Sequence, residues 1–199
     1  MKNTIKKYKK NKLLITLIIV IILSVTIGLL FPSLLSNSSK KLLISTLDNF
    51  FINIKNNNLN YTSSLISTLF SNILILSLIW IFGISIIGSV FIVIVLFIKS
   101  FILGFSISSI LLSYKLNGLI LSIIYVIPLI LNLLIYFVLC YYSIDFSIIL
   151  FNYLFKKRNN IHKKTVKRYI KIYIFSLLLI ILSSLVEVYI VPNIINIFI

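Results

Sequence analysis

Few residues in this sequence could do chemistry. The 199 residues hold three carboxylates (Asp48, Asp145 and Glu187), one histidine (His162) and one cysteine (Cys140). A metal-dependent hydrolase needs clustered His, Cys or carboxylate ligands, and a single histidine flanked by lysines cannot supply them. No glycine-rich phosphate loop is present. A serine nucleophile would need His162 beside a carboxylate, yet His162 and Glu187 fall on opposite sides of the membrane in the topology derived below. Cys140 lies inside an apolar run with no second cysteine to pair with. The chain is therefore predicted not to be an enzyme, with no catalytic, cofactor-binding or metal-ligating residues and no cofactor.

Two acids still need explaining. Asp145 falls close to a basic stretch, where it balances charge. Glu187 lies roughly 24 Å along the last apolar run at 1.5 Å per residue. An ionisable group inside a membrane span is costly and often functional. Three roles suit it: satisfaction by a neighbour such as Lys115 or a tyrosine hydroxyl at the outer rim, assembly with other helices, or movement of a proton or ion.

The elements that position these groups are membrane helices. The chain is 60% hydrophobic, against 45–50% for soluble domains, and its mean hydropathy is +1.17. The fold class predicted is all-α, a polytopic bundle of about five transmembrane helices in a single domain over 1–199. The sequence contains no Ala and no Gln but much Ile, Asn, Lys and Ser, as an AT-rich coding sequence would dictate. Position is therefore more informative than abundance. A formal charge of +16 on a soluble chain would suggest nucleic acid. Here the cations flank apolar runs, so no nucleic-acid partner is expected and the lipid bilayer is.

Spans are predicted at about 13–31, 73–98, 100–114, 119–142 and 172–191. The first follows six lysines within 1–12 and reads as an uncleaved anchor. Residues 32–69 form an outer loop, entered at Pro32. Within it, 42–54 has helical apolar spacing, with Asp48 and Asn49 on the polar side. The Asn-rich run beyond it reads as a compositional effect and not as a binding element. The stretch 80–112 reads as two helices meeting in a tight turn at Lys99 and Ser100. Its second limb is short for a full crossing and would thin the bilayer or re-enter. Small residues recur at Ser85 and Ser89, and at Ser100, Gly104 and Ser108, a spacing that lets helices pack closely in lipid. Pro128 kinks the fourth span, and 143–155 continues as an inner-surface extension. Pro192 ends the fifth.

Charge sets the orientation. Six lysines in 1–12, Lys99, and eight Lys or Arg in the basic loop 156–171 lie on one side. Lys40, Lys41, Lys55 and Lys115 lie on the other. Positive charge accumulates in cytoplasmic loops, so the N-terminus is expected inside and the C-terminus outside.

In order and spacing, WIFGISIIG at 80–88, LFIKSFILGF at 96–105, the span containing Pro128 and SSLVEVYIVP at 183–192 resemble the stage II sporulation protein M family. The resemblance covers most of the chain. It singles out Trp80, Gly83, Gly88, Lys99, Gly104, Pro128, Glu187, Tyr189 and Pro192 as packing and assembly positions. Ser100 departs from the pattern, since a glycine is common after the lysine. The resemblance implies a five-span scaffold of the engulfment complex at the sporulation septum and the engulfing membrane. It would have no hydrolase activity itself and would localise stage II sporulation proteins P and D, which degrade peptidoglycan. Two readings compete with it: a small permease subunit using Glu187 as a coupling group, and a general membrane-shaping protein suggested by the basic loops.

Overall fold

Long apolar runs in lipid must satisfy their own backbone, which restricts them to helices. The computed structural model describes residues 2–56, 58–85, 87–115, 117–156 and 163–198. The helices are α1 Lys2–Leu34, α2 Asn37–Lys55, α3 Tyr61–Ile84, α4 Gly88–Tyr114, α5 Asn117–Lys156, α6 Lys163–Leu185 and α7 Val191–Phe198. A π-helical turn, Val186–Ile190, joins α6 to α7 without a break. No strand occurs among the described residues. Five segments are long and apolar enough to cross a membrane: Asn11–Leu34, Tyr61–Ile84, Gly88–Tyr114, Gly118–Phe155 and Lys163–Ile197.

The central hairpin turns elsewhere than expected. Lys99 is not in a turn but near the middle of α4, a 27-residue helix. At 1.5 Å per residue α4 is ~40 Å long, so no short or re-entrant limb exists. The chain reverses at 85–87 instead. Ser85 is extended (φ −98°, ψ 142°) and its N–H donates to the Phe82 carbonyl. A Cβ on Gly88 would strike that same carbonyl oxygen, so only glycine lets α4 start there. The Ser85 carbonyl, freed by the break, accepts a hydrogen bond from Ser147 Oγ of α5 at 2.9 Å. In the sequence the charge reads as the interruption, whereas Gly83 and Gly88 punctuate the chain. It follows that Ser85 and Ser89 do not share one helix face, while Ser100, Gly104 and Ser108 do.

Other boundaries move for related reasons. Pro32 lies inside α1 and is buried, not at the membrane exit. Much of the expected outer loop is helix. Ser36 caps α2 by accepting from Ser39 N at 3.4 Å. Asn60 caps α3 by accepting from Ser63 N at 3.3 Å, so at least one asparagine of the Asn-rich run has a structural task. The acid of α2 is not left to solvent, because the Tyr114 hydroxyl donates to Asp48 Oδ1 at 2.6 Å. The fourth span and its expected inner extension form one 40-residue helix, α5, with Pro128 inside it. Pro192 does not end the last span. Val191 and Ile195 of α7 are buried with Phe51 and Ile54 of α2, Ile110 of α4, and Leu121 and Ile124 of α5. Of the predicted basic loop, Lys163 onward is helical, while 157–162, including His162, lies outside the described residues.

The main core joins Leu17 of α1, Leu76 and Ile79 of α3, Ile92 and Leu96 of α4, Tyr136, Leu139 and Cys140 of α5, and Ile180 of α6. α1 reaches it through a crossing with α4 that two glycines permit. A Cβ on Gly104 would strike the Val25 carbonyl oxygen, and one on Gly28 the Phe101 carbonyl oxygen. With both side chains absent, the backbones touch and dispersion acts over the whole crossing. Phe31 and Phe101 meet edge-on beside it, with ring centroids 5.4 Å apart.

Two measurements check this arrangement. A cysteine at Ile87 should react with an aqueous maleimide, whereas one at Ile98 should stay unlabelled in the bilayer. A turn at Lys99 would give the reverse. Cys140 is fully buried, so the wild-type background should be silent until detergent denatures the protein. Gly104→Leu should destabilise the purified protein by about 2 kcal/mol or more, seen as a lower Tm, because backbone cannot yield as a side chain can.

Candidate functional site

Polar groups converge where α3, α4, α5 and the π-turn meet. Asn132 and Tyr136 lie one turn apart on α5 and so share a face, as do Thr68 and Asn72 on α3. The Tyr136 hydroxyl donates to Asn72 Oδ1 at 2.9 Å. Asn72 Nδ2 passes the chain on to Ser184 Oγ of α6 at 3.1 Å. Asn132 Nδ2 donates to Glu187 Oε2 at 3.1 Å. The Lys99 ammonium stands 5.6 Å from the centroid of the Tyr136 ring, within range of a cation–π contact. Asn72, Lys99, Asn132, Tyr136 and Glu187, with Ser67, Thr68 and Ser71, line a cavity of about 220 Å³.

The π-turn places Glu187 in this cavity. Pro192 has no N–H, and in α-geometry its ring would press on the carbonyl four residues back. The wider turn accommodates it: Val191 N–H donates to Val186 O, five residues back. One extra residue per turn rotates the following segment relative to α6. Such π-bulges are frequent at functional sites. Pro192 and Glu187 are thus two parts of one local device, five residues apart. Tyr189, in the same turn, is partly exposed and stacks on Tyr61 at 5.6 Å and 9°.

Of the residues singled out by sequence, Lys99 and Glu187 come together here, with Pro128 one turn before Asn132 on α5. Pro128 is buried, and Ser183 of α6 approaches its carbonyl at 3.5 Å. Lys115 does not partner Glu187; Asn132 does. Trp80 and Gly83 belong to a second cluster, at the opposite end of α3. The Trp80 indole stacks on Tyr173 (4.8 Å, 24°) and Tyr169 (6.0 Å, 16°) of α6. The Tyr169 hydroxyl donates to the Trp80 carbonyl at 2.7 Å and lies 3.0 Å from Ser143 Oγ of α5. A Cβ on Gly83 would collide with that hydroxyl. Gly83 therefore leaves room for the bond that ties α3 to α5 and α6. Gly88 and Gly104 serve the turn and the α1 crossing.

Sequence reasoning missed Asn72, Tyr136, Tyr169, Ser184 and Gly28. A signal existed for some. Thr68 with Asn72, and Asn132 with Tyr136, are polar pairs at i, i+4 spacing inside apolar runs, where each polar group must find a partner.

The match to a known family runs nearly end to end. Residues 16–192 fit the family model described as Stage II sporulation protein M. The chain belongs to the stage II sporulation protein M family. No curated protein and no solved structure compared with the chain matches it. The matched range takes in both clusters and the π-turn, and stops at Pro192. Membership together with five membrane-length helices makes this a multi-pass membrane protein of a sporulation-related family.

Tyr136→Phe removes the donor to Asn72 and keeps the ring beside Lys99. It should cost about 0.6–2 kcal/mol, the span of values for hydrogen bonds between membrane helices. Tyr136→Leu removes the ring as well and should cost measurably more. Reversible unfolding in mixed micelles reads both.

Proposed function

We propose that this protein is a non-enzymatic scaffold of the engulfment complex, which localises peptidoglycan hydrolases at the sporulation septum. The family match over 16–192 carries this reading. The architecture agrees with it. The described residues form a membrane bundle with short connections, in which side-chain hydrogen bonds join α3 to α5 and α6. The partners inferred are stage II sporulation proteins P and D. The orientation inferred from charge is N-terminus in and C-terminus out, which sets α2 and α7 toward the compartment where peptidoglycan is remodelled.

Deletion of the gene in its host tests the proposal. Septal peptidoglycan should fail to thin, and a fluorescent fusion of a partner hydrolase should spread over the mother-cell membrane instead of gathering at the septum. Hydrolases should also co-purify with the tagged protein from sporulating cells. Normal engulfment in the deletion strain, or purification free of any hydrolase, overturns the reading.

A further inference from the structure

The cavity between α3, α4, α5 and the π-turn holds more unspent polar capacity than a structural ion pair needs. No carboxylate oxygen comes within 4.0 Å of the Lys99 ammonium among the described residues. It stands over the face of the Tyr136 ring, whose hydroxyl is already committed to Asn72. Glu187 receives one hydrogen bond, from Asn132, and a carboxylate can accept about four. Asn132 lines the cavity, is only 5% exposed, and its Oδ1 has no partner among the described residues. An orphaned acceptor this deep costs ~1–3 kcal/mol unless something donates to it.

The unspent groups fall into two poles. Glu187 and Asn132, bonded to each other, offer mainly acceptors, carboxylate oxygens and an amide oxygen, and a negative charge. That set suits an ammonium group. Lys99, across on α4, offers only donors and a positive charge, which suits an acid group. Lys99 and Glu187 balance each other's charge across the cavity, so a singly charged ligand would leave a net charge at membrane depth, which is costly. A zwitterion satisfies both poles. The volume, about 220 Å³, is an order of magnitude above what one water needs and below that of drug-sized sites. Ser67 and Ser71, both exposed on α3, line the open side and give a polar approach.

We propose that this cavity is a binding site for a small zwitterion, whose ammonium is received by Glu187 and Asn132 and whose acid group is received by Lys99. The zwitterion is a free amino acid-like solute or the phosphoethanolamine headgroup of a lipid, which share this chemistry. The site does not depend on whether the chain recruits hydrolases.

The test uses the purified full-length protein. Thermal unfolding in detergent is followed with glycine, O-phosphoethanolamine, glycolate and methylamine. Either zwitterion should raise Tm saturably, by roughly 3–6 °C at ten times its Kd, while the two singly charged analogues at equal ionic strength should not. A parallel arm reconstitutes the protein in nanodiscs of mixed phosphatidylethanolamine and phosphatidylglycerol and identifies retained lipid by native mass spectrometry. Retained phosphatidylethanolamine without a glycine effect assigns the site to a lipid headgroup; the glycine effect without retained lipid assigns it to a free solute. Lys99→Met and Glu187→Gln should each abolish whichever signal is seen. The ligand series on wild-type protein keeps the test decisive if those variants do not fold. Equal shifts from all four compounds, or no shift and no selective lipid, would leave only a hydrated pair of charges and overturn the proposal.

Discussion

Lys99 and Glu187 cannot both lie at membrane depth unless the helices around them close off the lipid. An ammonium or a carboxylate facing hydrocarbon is penalised by several kcal/mol, so every helix carrying a polar group is drawn to the same place. α4 brings Lys99, α5 brings Asn132 and Tyr136, α3 brings Asn72, and the turn after α6 brings Glu187. The hydrogen bonds from Tyr136 to Asn72 and from Asn72 to Ser184 then link α5, α3 and α6 in sequence. Apolar packing alone does not choose among partners in lipid, because lipid chains are as apolar as leucine. Polar pairing and close backbone approach make that choice.

Close approach is the second device, and glycine provides it at three joints. Gly28 and Gly104 let the backbones of α1 and α4 touch. Gly83 makes room for the Tyr169 hydroxyl, which bonds the Trp80 carbonyl and reaches Ser143. Gly88 permits the reversal between α3 and α4. The polar cavity and the Trp80–Tyr169 cluster therefore clamp α3 at two levels against α5 and α6. The remaining helix, α2, is held from outside this frame by Phe51, Ile54 and the bond from Tyr114 to Asp48.

The π-turn shows how a local irregularity and a site coincide. Pro192 would break an ordinary helix, yet Val191 and Ile195 just beside it are buried against α2 and α5. Widening one turn preserves the helix, keeps α7 in the core and turns Glu187 toward Asn132. A proline placed there for packing and an acid placed there for binding would leave the same trace in the sequence. Only their common turn reveals that one accommodates the other.

The sequence by itself determined the membrane class, the helical fold and the number of crossings, because hydropathy is a local property that sums along the chain. It also singled out Glu187 and Lys99, since any charge in an apolar run stands out. It did not determine where α3 ends and α4 begins. A lysine inside a run looks the same whether it marks a turn or lines a cavity, and the difference lies in what faces it. The pairing of Lys99 with Tyr136, of Asn132 with Glu187, and of Gly28 with Gly104 joins residues far apart in sequence. Such pairings depend on the rotational phase of each helix about its axis and on its depth in the bundle. Those quantities are settled only when all the faces are packed at once, and so they belong to the tertiary structure.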